Sequence, residues 1–464
     1  MPVPTHENGL FIFHRDLRIH DNVGLIETCK RCKEVYTCFV FTPEQVTDKN
    51  RYRSQNAIQF MIESLVELYK SLQDSGGQLI TLYGSHDESI EYLIDQLSID
   101  YVGFNRDYTP YAIKRDTHVL KICKKRGIEC MEYEDYYLYP PGTVTTGGGT
   151  PYKKYTPFYD AVINRDVSKV SKSTCSSLTK TTKSLKHVIT LKSAFDKYAS
   201  NNTNILVHGG RPNGLCKLKK GIREQSKYDD TRDYFINKTT HLSAYIKFGC
   251  VSIREVYHMF VNKYGKMHGL IRELIWREFF AHVLYGYPEV VGKSYQEGYQ
   301  DLEWENNRTM FNKWKSGTTG FPIVDACMRE MNTTGYMHNR GRMTVASFLI
   351  KTLLIDWQWG ERYFAQQLTD YDLASNNGNW QGISGTGVDM KPYFRDMNPW
   401  IQSVKFDKDA EYIKKWVPEL ENVEPKVIHE WYKYHTENPS IKYSKPIVEY
   451  TAQKKKMMNM YEST

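Results

Sequence analysis

LITLYGSHDESIEYLIDQLSIDYVGFNRDYTPYAIKRDTHVLKICKKRGIECM, residues 79–131, decides the first half of the fold. Leu79–Tyr83, Tyr101–Phe104 and Ile128–Met131 are short apolar runs of strand length. Between them, Ile90–Leu97 and Tyr111–Lys125 carry apolar residues at helical spacing, and Gly127 closes the second helix. Strands alternating with helices must cross over each time, which predicts a parallel sheet with helices on both faces. The same alternation extends toward the N-terminus. Leu10–Phe13 and Val35–Phe41 read as strands; Ile58, Met61, Ile62, Leu65, Tyr69 and Leu72 lie on one helical face, broken at Gly76-Gly77. Five strands in a Rossmann-like parallel sheet are expected, although no GxGxxG follows the first one, and a fold alone does not give a function.

Outward in the other direction the pattern changes. Between Asp166 and Asn204 the chain turns to Ser, Thr and Lys with few large apolar residues, the composition of a connector crossing the surface. From Ile205 onward strand signals fade and helical periodicities take over at Val251–Lys263, Leu270–Tyr285, Phe321–Met331 and Arg342–Asp356. The expected organisation is therefore an α/β domain over residues 1–135, a connector over 136–204 and an all-α domain over 205–464. A chain of 464 residues exceeds the size at which one core usually stops growing.

Composition narrows the class of protein. With 40% hydrophobic and 25% charged residues, no stretch is long and apolar enough to span a bilayer, and Leu10–Phe13 is too short for a signal segment. The chain reads as soluble, intracellular and monomeric. Its net charge of +8 is compatible with a polyanionic partner but is no more than a solvated surface requires. Nine scattered cysteines suit a reducing compartment, and the lone pair Cys29/Cys32, in a helical-looking stretch, lacks the second pair of a zinc site; no metal is expected.

Four segments of the helical half concentrate polar and aromatic residues. Tyr228-Asp-Asp-Thr-Arg232-Asp precedes Thr239-Thr240-His241-Leu242-Ser243, whose hydroxyls suit either a phosphate at a helix N-terminus or an ordinary cap. Glu273, Trp276, Arg277 and Phe280 share one face of a helix, a composition that suits the wall of a cavity or a salt-bridged surface stripe. Asn339, Arg340 and Arg342 lie within one turn. Asp372 and Asn376, one turn apart, follow Asp370 in a polar, turn-forming stretch.

These segments, together with IWREFF, GYMHNRGRM, IDWQWGERYFAQQL and NNGNW…GTGVDMKPYFR, and the opening FIFHRDLRIHDN, resemble the photolyase/cryptochrome family in order and spacing along nearly the whole chain. The resemblance implies an α/β antenna domain and an all-α domain holding FAD. It implies that Tyr228 and Thr239–Ser243 hold the phosphates and ribitol, that Arg277 also borders the cofactor, and that Asp370 and Arg342 form an ion pair over the ring. Asp372 would touch the ring and Asn376 face its N5. Trp380, Trp357 and Trp304 would relay electrons. Glu273, Trp276, Asn339 and Met343 match the lesion pocket of enzymes that split cyclobutane pyrimidine dimers; those acting on (6-4) photoproducts carry histidines where Asn339 and Met343 stand. Arg232, Arg340, Lys391 and Arg395 would meet the backbone of UV-damaged DNA.

The chain departs from the family in three ways. Gly382 replaces a second pocket tryptophan, Ala112 replaces the glutamate that holds a folate antenna although Lys293 matches a second folate contact, and no long tail follows the helical domain. The expectation is a light-driven, FAD-dependent dimer-splitting lyase with a possible but unidentified antenna chromophore. The alternatives are a cryptochrome-type blue-light receptor and a (6-4) photolyase. Asn376 and the short end weigh against the first; Asn339 and Met343 weigh against the second.

Overall fold

The computed structural model of the protein describes residues 4–389 and 392–463. The N-terminal half runs β1 (His6–Ile12), α1 (Val23–Arg31), β2 (Cys32–Phe41), α2 (Gln55–Asp74), β3 (Leu79–Tyr83), α3 (His86–Leu97), β4 (Tyr101–Asn105), α4 (Pro110–Arg126) and β5 (Glu129–Tyr133). All five strands are parallel, in the order β3-β2-β1-β4-β5. The central strand is apolar and buried from Gly9 to Phe13, as a parallel strand covered on both faces must be. A Cβ on Gly103 would lie 2.1 Å from Thr28 Oγ1, so glycine is what lets α1 press against β4. Chain order reverses at β1, and the segments leaving β1 and β4 diverge there, opening a crevice beyond the strand ends. The CxxC pair straddles a junction, because α1 ends at Arg31 and Cys32 already belongs to β2.

The connector is not a solvated tether. The backbone of Val35 accepts from Thr179 N and donates to Ser177 O, and Tyr83 N donates to His187 O, so residues 177–189 run along the sheet. Two helices, α5 (Tyr155–Val162) and α6 (Leu191–Tyr198), pack on the helical domain and on α2 respectively. Composition concealed this because the pairing is made by backbone groups. The lysines Lys169, Lys172, Lys180, Lys183 and Lys186 remain exposed.

The helices of the second half that matter here are α7 (Ile253–Tyr264), α8 (Gly269–Gly286), α9 (Arg308–Ser316), α10 (Pro322–Thr334), α11 (Asn339–Ser347), α12 (Trp357–Gln367) and α13 (Leu373–Ser384). The helix expected over Arg342–Asp356 instead begins at Asn339, ends at Ser347 and passes into a π-helical turn at Phe348–Thr352. Every residue from Thr344 to Ile355 is buried, so no polar face marks where the hydrogen-bond register changes. No helix of the described residues is long and apolar enough to cross a membrane.

The two halves are joined by buried charge. Arg18 meets Asp135 at 2.7 Å, Arg254 meets Asp135 at 2.8 Å and Asp21 at 3.0 Å, and the four side chains are at most 5% exposed. Burial alone would raise the Asp135 carboxyl; Arg18 and Arg254 outweigh it and hold it below the usual carboxylate range. A lowered native pKa adds stability that is complete above the unfolded value near 4 and is lost as pH falls through the native one. Asp135→Ala should cost about 3–5 kcal/mol, because it leaves two buried guanidiniums short of their anion. Denaturant titration should show that loss at pH 7, and the wild-type midpoint should itself fall on acidification below pH 4.

Candidate active site

Inside the helical domain lies a cavity of 290 Å³ that opens into an inner chamber of 110 Å³; the two share Asn339, Arg342, Asp370, Asp372 and Ser375. The outer part is walled by Tyr228, Arg232, the loop Thr239–Ser243, Glu273 and Arg277. The inner part is walled by Met343, Asn376 and Trp380. Most of the residues singled out in sequence therefore converge on one space.

Secondary structure explains how. α8 is buried along most of its length, and of its half-buried residues Glu273 and Arg277 face the cavity one turn apart. Asp372 N-caps α13, accepting from Ser375 N at 3.1 Å, which aims the following turn, with Asn376, at the inner chamber. Thr239 and Thr240 belong to a loop, not to a helix start. Only Ser243 enters a helix, of five residues (Ser243–Lys247), so hydroxyls and loop backbone rather than a strong helix dipole are presented there. His241, with φ +52°, turns this loop; its Nδ1 is buried without a partner, and burial followed by Lys217 lowers its pKa to about 4.

The charges of the cavity are paired. Arg342 Nη2 lies 2.9 Å from Asp370, whose carboxylate also accepts from Ser243 Oγ at 2.6 Å. Arg232 lies 2.6 Å from Glu273. Arg277 donates to Tyr136 O at 2.8 Å and stacks on Tyr137, 4.4 Å from its centroid. Arg15, from the α/β domain, reaches Asp372 at 3.3 Å while gripping Asp107 at 2.7 and 2.8 Å. Burial would raise the Asp372 carboxyl, but Arg15, Lys247 and Arg277 hold it at about 2. Asn376 Nδ2 donates to Glu361 O at 3.1 Å, which leaves its amide oxygen as the end offered to the chamber.

Other residues stand apart. Trp276 does not line the cavity; it stacks on Tyr155 of α5, centroids 3.5 Å apart and planes within 4°. A Cβ on Gly382 would meet nothing closer than Asp389 O at 3.9 Å, so the place of the missing tryptophan is open. Arg340 is 2.5 Å from Asp233 and 4.6 Å over Phe406, whereas Arg395 is exposed; Lys391 lies outside the described residues. Trp380 and Trp357 are 2% and 1% exposed and Trp304 is half-buried, all in one apolar cluster. Sequence reasoning missed Arg15, Lys247, Tyr155 and Tyr336. Arg15 and Tyr336 sat in quoted motifs, but Tyr155 and Lys247 carried no signal, since only the fold brings them to the site.

A second cavity, of 410 Å³, occupies the crevice at the ends of β1, β2 and β4 and reaches Lys247 and Asp372. His14 and His86, ring centroids 5.7 Å apart, line it with all four imidazole nitrogens buried and without a hydrogen bond, His86 Nδ1 lying 4.0 Å from Asp87. Burial and then Arg115 depress both, His86 to about 3. Ala112 lines this cavity; the exposed Lys293 does not.

Residues 270–463 match the model of the FAD binding domain of DNA photolyase, and residues 10–172 match the DNA photolyase model. The deoxyribodipyrimidine photo-lyase of Escherichia coli is 32% identical over 97% of this chain and 98% of its own.

The chain belongs to the DNA photolyase family.

Structures agree with this. An archaeal photolyase from Sulfolobus tokodaii, described with two FAD molecules, is 38% identical, with a TM-score of 0.88 over 98% of this chain and all of its own. A class III photolyase from Agrobacterium tumefaciens gives 0.92 at 29% identity, covering 99% of this chain and 98% of its own. A Synechocystis cryptochrome gives 0.88 at 26%, covering 99% of this chain and all of its own. The helical domain of this photolyase-family chain is thus an FAD-binding domain. The residues present fit that cofactor: an orphaned buried imidazole at His241, a loop of hydroxyls, and guanidiniums beside an aromatic inner chamber.

The inner chamber depends on one close approach. A Cβ on Gly360 would lie 2.2 Å from Trp380 Cη2 and 2.6 Å from Leu349 Cδ2. Gly360→Ala should therefore displace the Trp380 indole and cost about 1–3 kcal/mol. Thermal denaturation should register the loss, and the purified variant should retain less flavin by absorbance.

Proposed function

We propose that the protein is a light-driven DNA photolyase that restores cyclobutane pyrimidine dimers. The observation that carries this reading is the lining of the inner site: Asn339, Met343 and Asn376 border one chamber with Trp380 at its wall, and no histidine borders that chamber among the described residues.

When bound, reduced FAD supplies an electron on absorbing blue light. Tyr228, Thr239–Ser243, Arg277, Arg342 and Asp370 are the residues that would hold the cofactor. Asp372 stays ionised at any physiological pH, so it can accept a hydrogen bond from the ring edge without giving up a proton. The Asn376 amide presents an acceptor that carries no charge, so it adds no negative charge of its own to oppose an anionic reduced flavin.

The lesion chemistry follows from what the pocket lacks. Opening a cyclobutane ring requires an electron that is later returned, with no group moved between the bases. Restoring a (6-4) lesion requires a hydroxyl or amine to move back, for which a titrating imidazole is the expected partner. Asn339 cannot titrate and Met343 offers a soft apolar surface. Glu273, drawn up by burial and partly restrained by Arg232, can hydrogen-bond a base edge. Trp276 is covered by Tyr155 rather than turned to the cavity, and Gly382 leaves the place of a second tryptophan open.

Arg395, exposed, is suited to the DNA backbone, with Lys391 near it in sequence, whereas Arg232 is already paired with Glu273 at the cavity wall. Arg340, already held by Asp233, has less to contribute. In the α/β cavity, Phe13, Phe39 and Tyr111 with imidazole nitrogens that lack hydrogen bonds suit a planar second chromophore other than folate.

Purified, reduced protein under blue light should remove cyclobutane dimers from a defined oligonucleotide and leave (6-4) photoproducts unchanged; the opposite selectivity would overturn the reading. Glu273→Ala should lower repair yield more than flavin content. In the oxidised protein, Trp380→Phe should block photoreduction, while the chemically reduced variant still repairs. Damaged-duplex affinity should fall steeply with salt, and Arg395→Ala should flatten that slope by more than Arg340→Ala does.

A further inference from the structure

A third cavity lies on the outer side of α9 and α12, away from both sites already described. It measures 330 Å³, close to the outer flavin cavity, and its walls include Arg308, Lys315, Arg362, Phe311, Trp359 and Tyr363. No carboxylate lines it, and none of the three cations forms an ion pair among the described residues. Arg308 lies 5.3 Å over the Trp359 ring, and Lys315 lies 5.2 Å from the Phe311 centroid and 5.6 Å from that of Tyr363. Arg362 Nε is buried with no hydrogen-bond partner. Arg362 lies 5.9 Å over the Tyr52 ring and is felt through space by Asp356 and by Glu361, which is 3% exposed and itself raised by burial to about 7. Two cations thus stand on the aromatic faces of the cleft, a third shares its lining, and no carboxylate lines it.

The aromatic wall continues inward. Trp359 touches Phe311 at 5.2 Å, Phe311 stacks on Trp314 at 5.7 Å, and Trp314 meets Trp380 edge-on at 6.4 Å. Trp314 is fully buried and pinned by its Nε1, which donates to Val345 O at 3.1 Å. This row is distinct from the one through Trp357 and Trp304. It joins the indole at the wall of the inner flavin chamber to a surface cleft.

We infer that this cleft binds a planar anion of mononucleotide size, its ring against Trp359 and its charge between Arg308, Lys315 and Arg362, and that a reducing anion held there can refill an electron vacancy on the Trp359–Trp314–Trp380 row. In that step the bound reductant loses one electron and an oxidised Trp359 indole gains it; no bond is made or broken. The electron link, though not the binding, rests on the photolyase reading. The cations give the row a gate. A positive charge on Trp359 is disfavoured beside Arg308 in a cleft lined by cations and no carboxylate, and becomes tolerable once an anion sits among them.

Two measurements test this. In the dark, holoprotein should bind adenosine monophosphate by calorimetry, and Arg308→Gln with Lys315→Gln should weaken that binding at least tenfold. Absent binding, or binding indifferent to the pair, overturns the site whatever the protein does with DNA. In the light, flavin reduction is followed in a Trp357→Phe background, where the other row is closed, with ascorbate as the planar anionic donor or dithiothreitol as a neutral one. Adding Trp314→Phe should slow the ascorbate-driven rate at least fivefold. The Arg308/Lys315 pair should raise the ascorbate concentration needed and leave the dithiothreitol rate unchanged. If Trp314→Phe has no effect while adenosine monophosphate still binds, the electron link is wrong. If dimer repair is absent but both sets of results hold, the function falls and this inference stands.

Discussion

Arg15 and Arg18 leave the end of β1 and spend their charge inside the protein, and the arrangement of the two halves depends on that. Arg18, Asp135, Arg254 and Asp21 form a closed set of ion pairs in which each carboxylate meets at least one guanidinium and Asp135 meets two. Ser252 Oγ also donates to Asp21. Burying such groups is costly, and geometry must be complete to recover the cost. Misplacing either half would strand several charges at once, so the set specifies one docking of the α/β sheet on the helices. Arg15 extends the same logic to the chemistry, because its second anion is Asp372 at the wall of the cofactor cavity.

The cavity itself is held open by balanced electrostatics. Arg232 with Glu273, Arg342 with Asp370, and Arg15, Lys247 and Arg277 around Asp372 offset one another. The walls therefore offer hydrogen bonds of both senses to a ligand that is polar at its edges and flat at its centre. Packing sets the finer dimensions. Glycines at 360 and 378 let Trp380 and Phe280 approach the helix backbones to distances at which any side chain would collide.

Aromatic residues divide between two tasks. Some close the core, as Phe158 and Phe279 do between α5 and α8. Others present faces: Tyr155 against Trp276, the rings of the α/β cavity, and the row from Trp380 to Trp359. The abundance of tyrosine fits this second use, since its ring stacks while its hydroxyl finds a backbone acceptor, as that of Tyr155 does at Arg272 O.

The sequence by itself determined the five parallel strands, the change to an all-helical second half and the motif residues that converge on the cavity, because hydrophobic period and local polarity are encoded residue by residue. It did not determine where Thr344–Ile355 leaves the α-helix, since a wholly buried run has no polar face to mark the change. It did not show that the Ser/Thr/Lys connector pairs with the sheet, because backbone hydrogen bonds leave no mark on composition. Which arginines are committed was also hidden. Arg340 and Arg395 read alike as DNA-facing cations, yet Asp233, remote in sequence, holds one and leaves the other exposed. Tertiary structure alone decided that Tyr155 faces Trp276, that Arg15 crosses to Asp372 and that three cations line one cleft with Trp359. Each of these joins residues far apart in the chain, and only the folded backbone sets the distance between them.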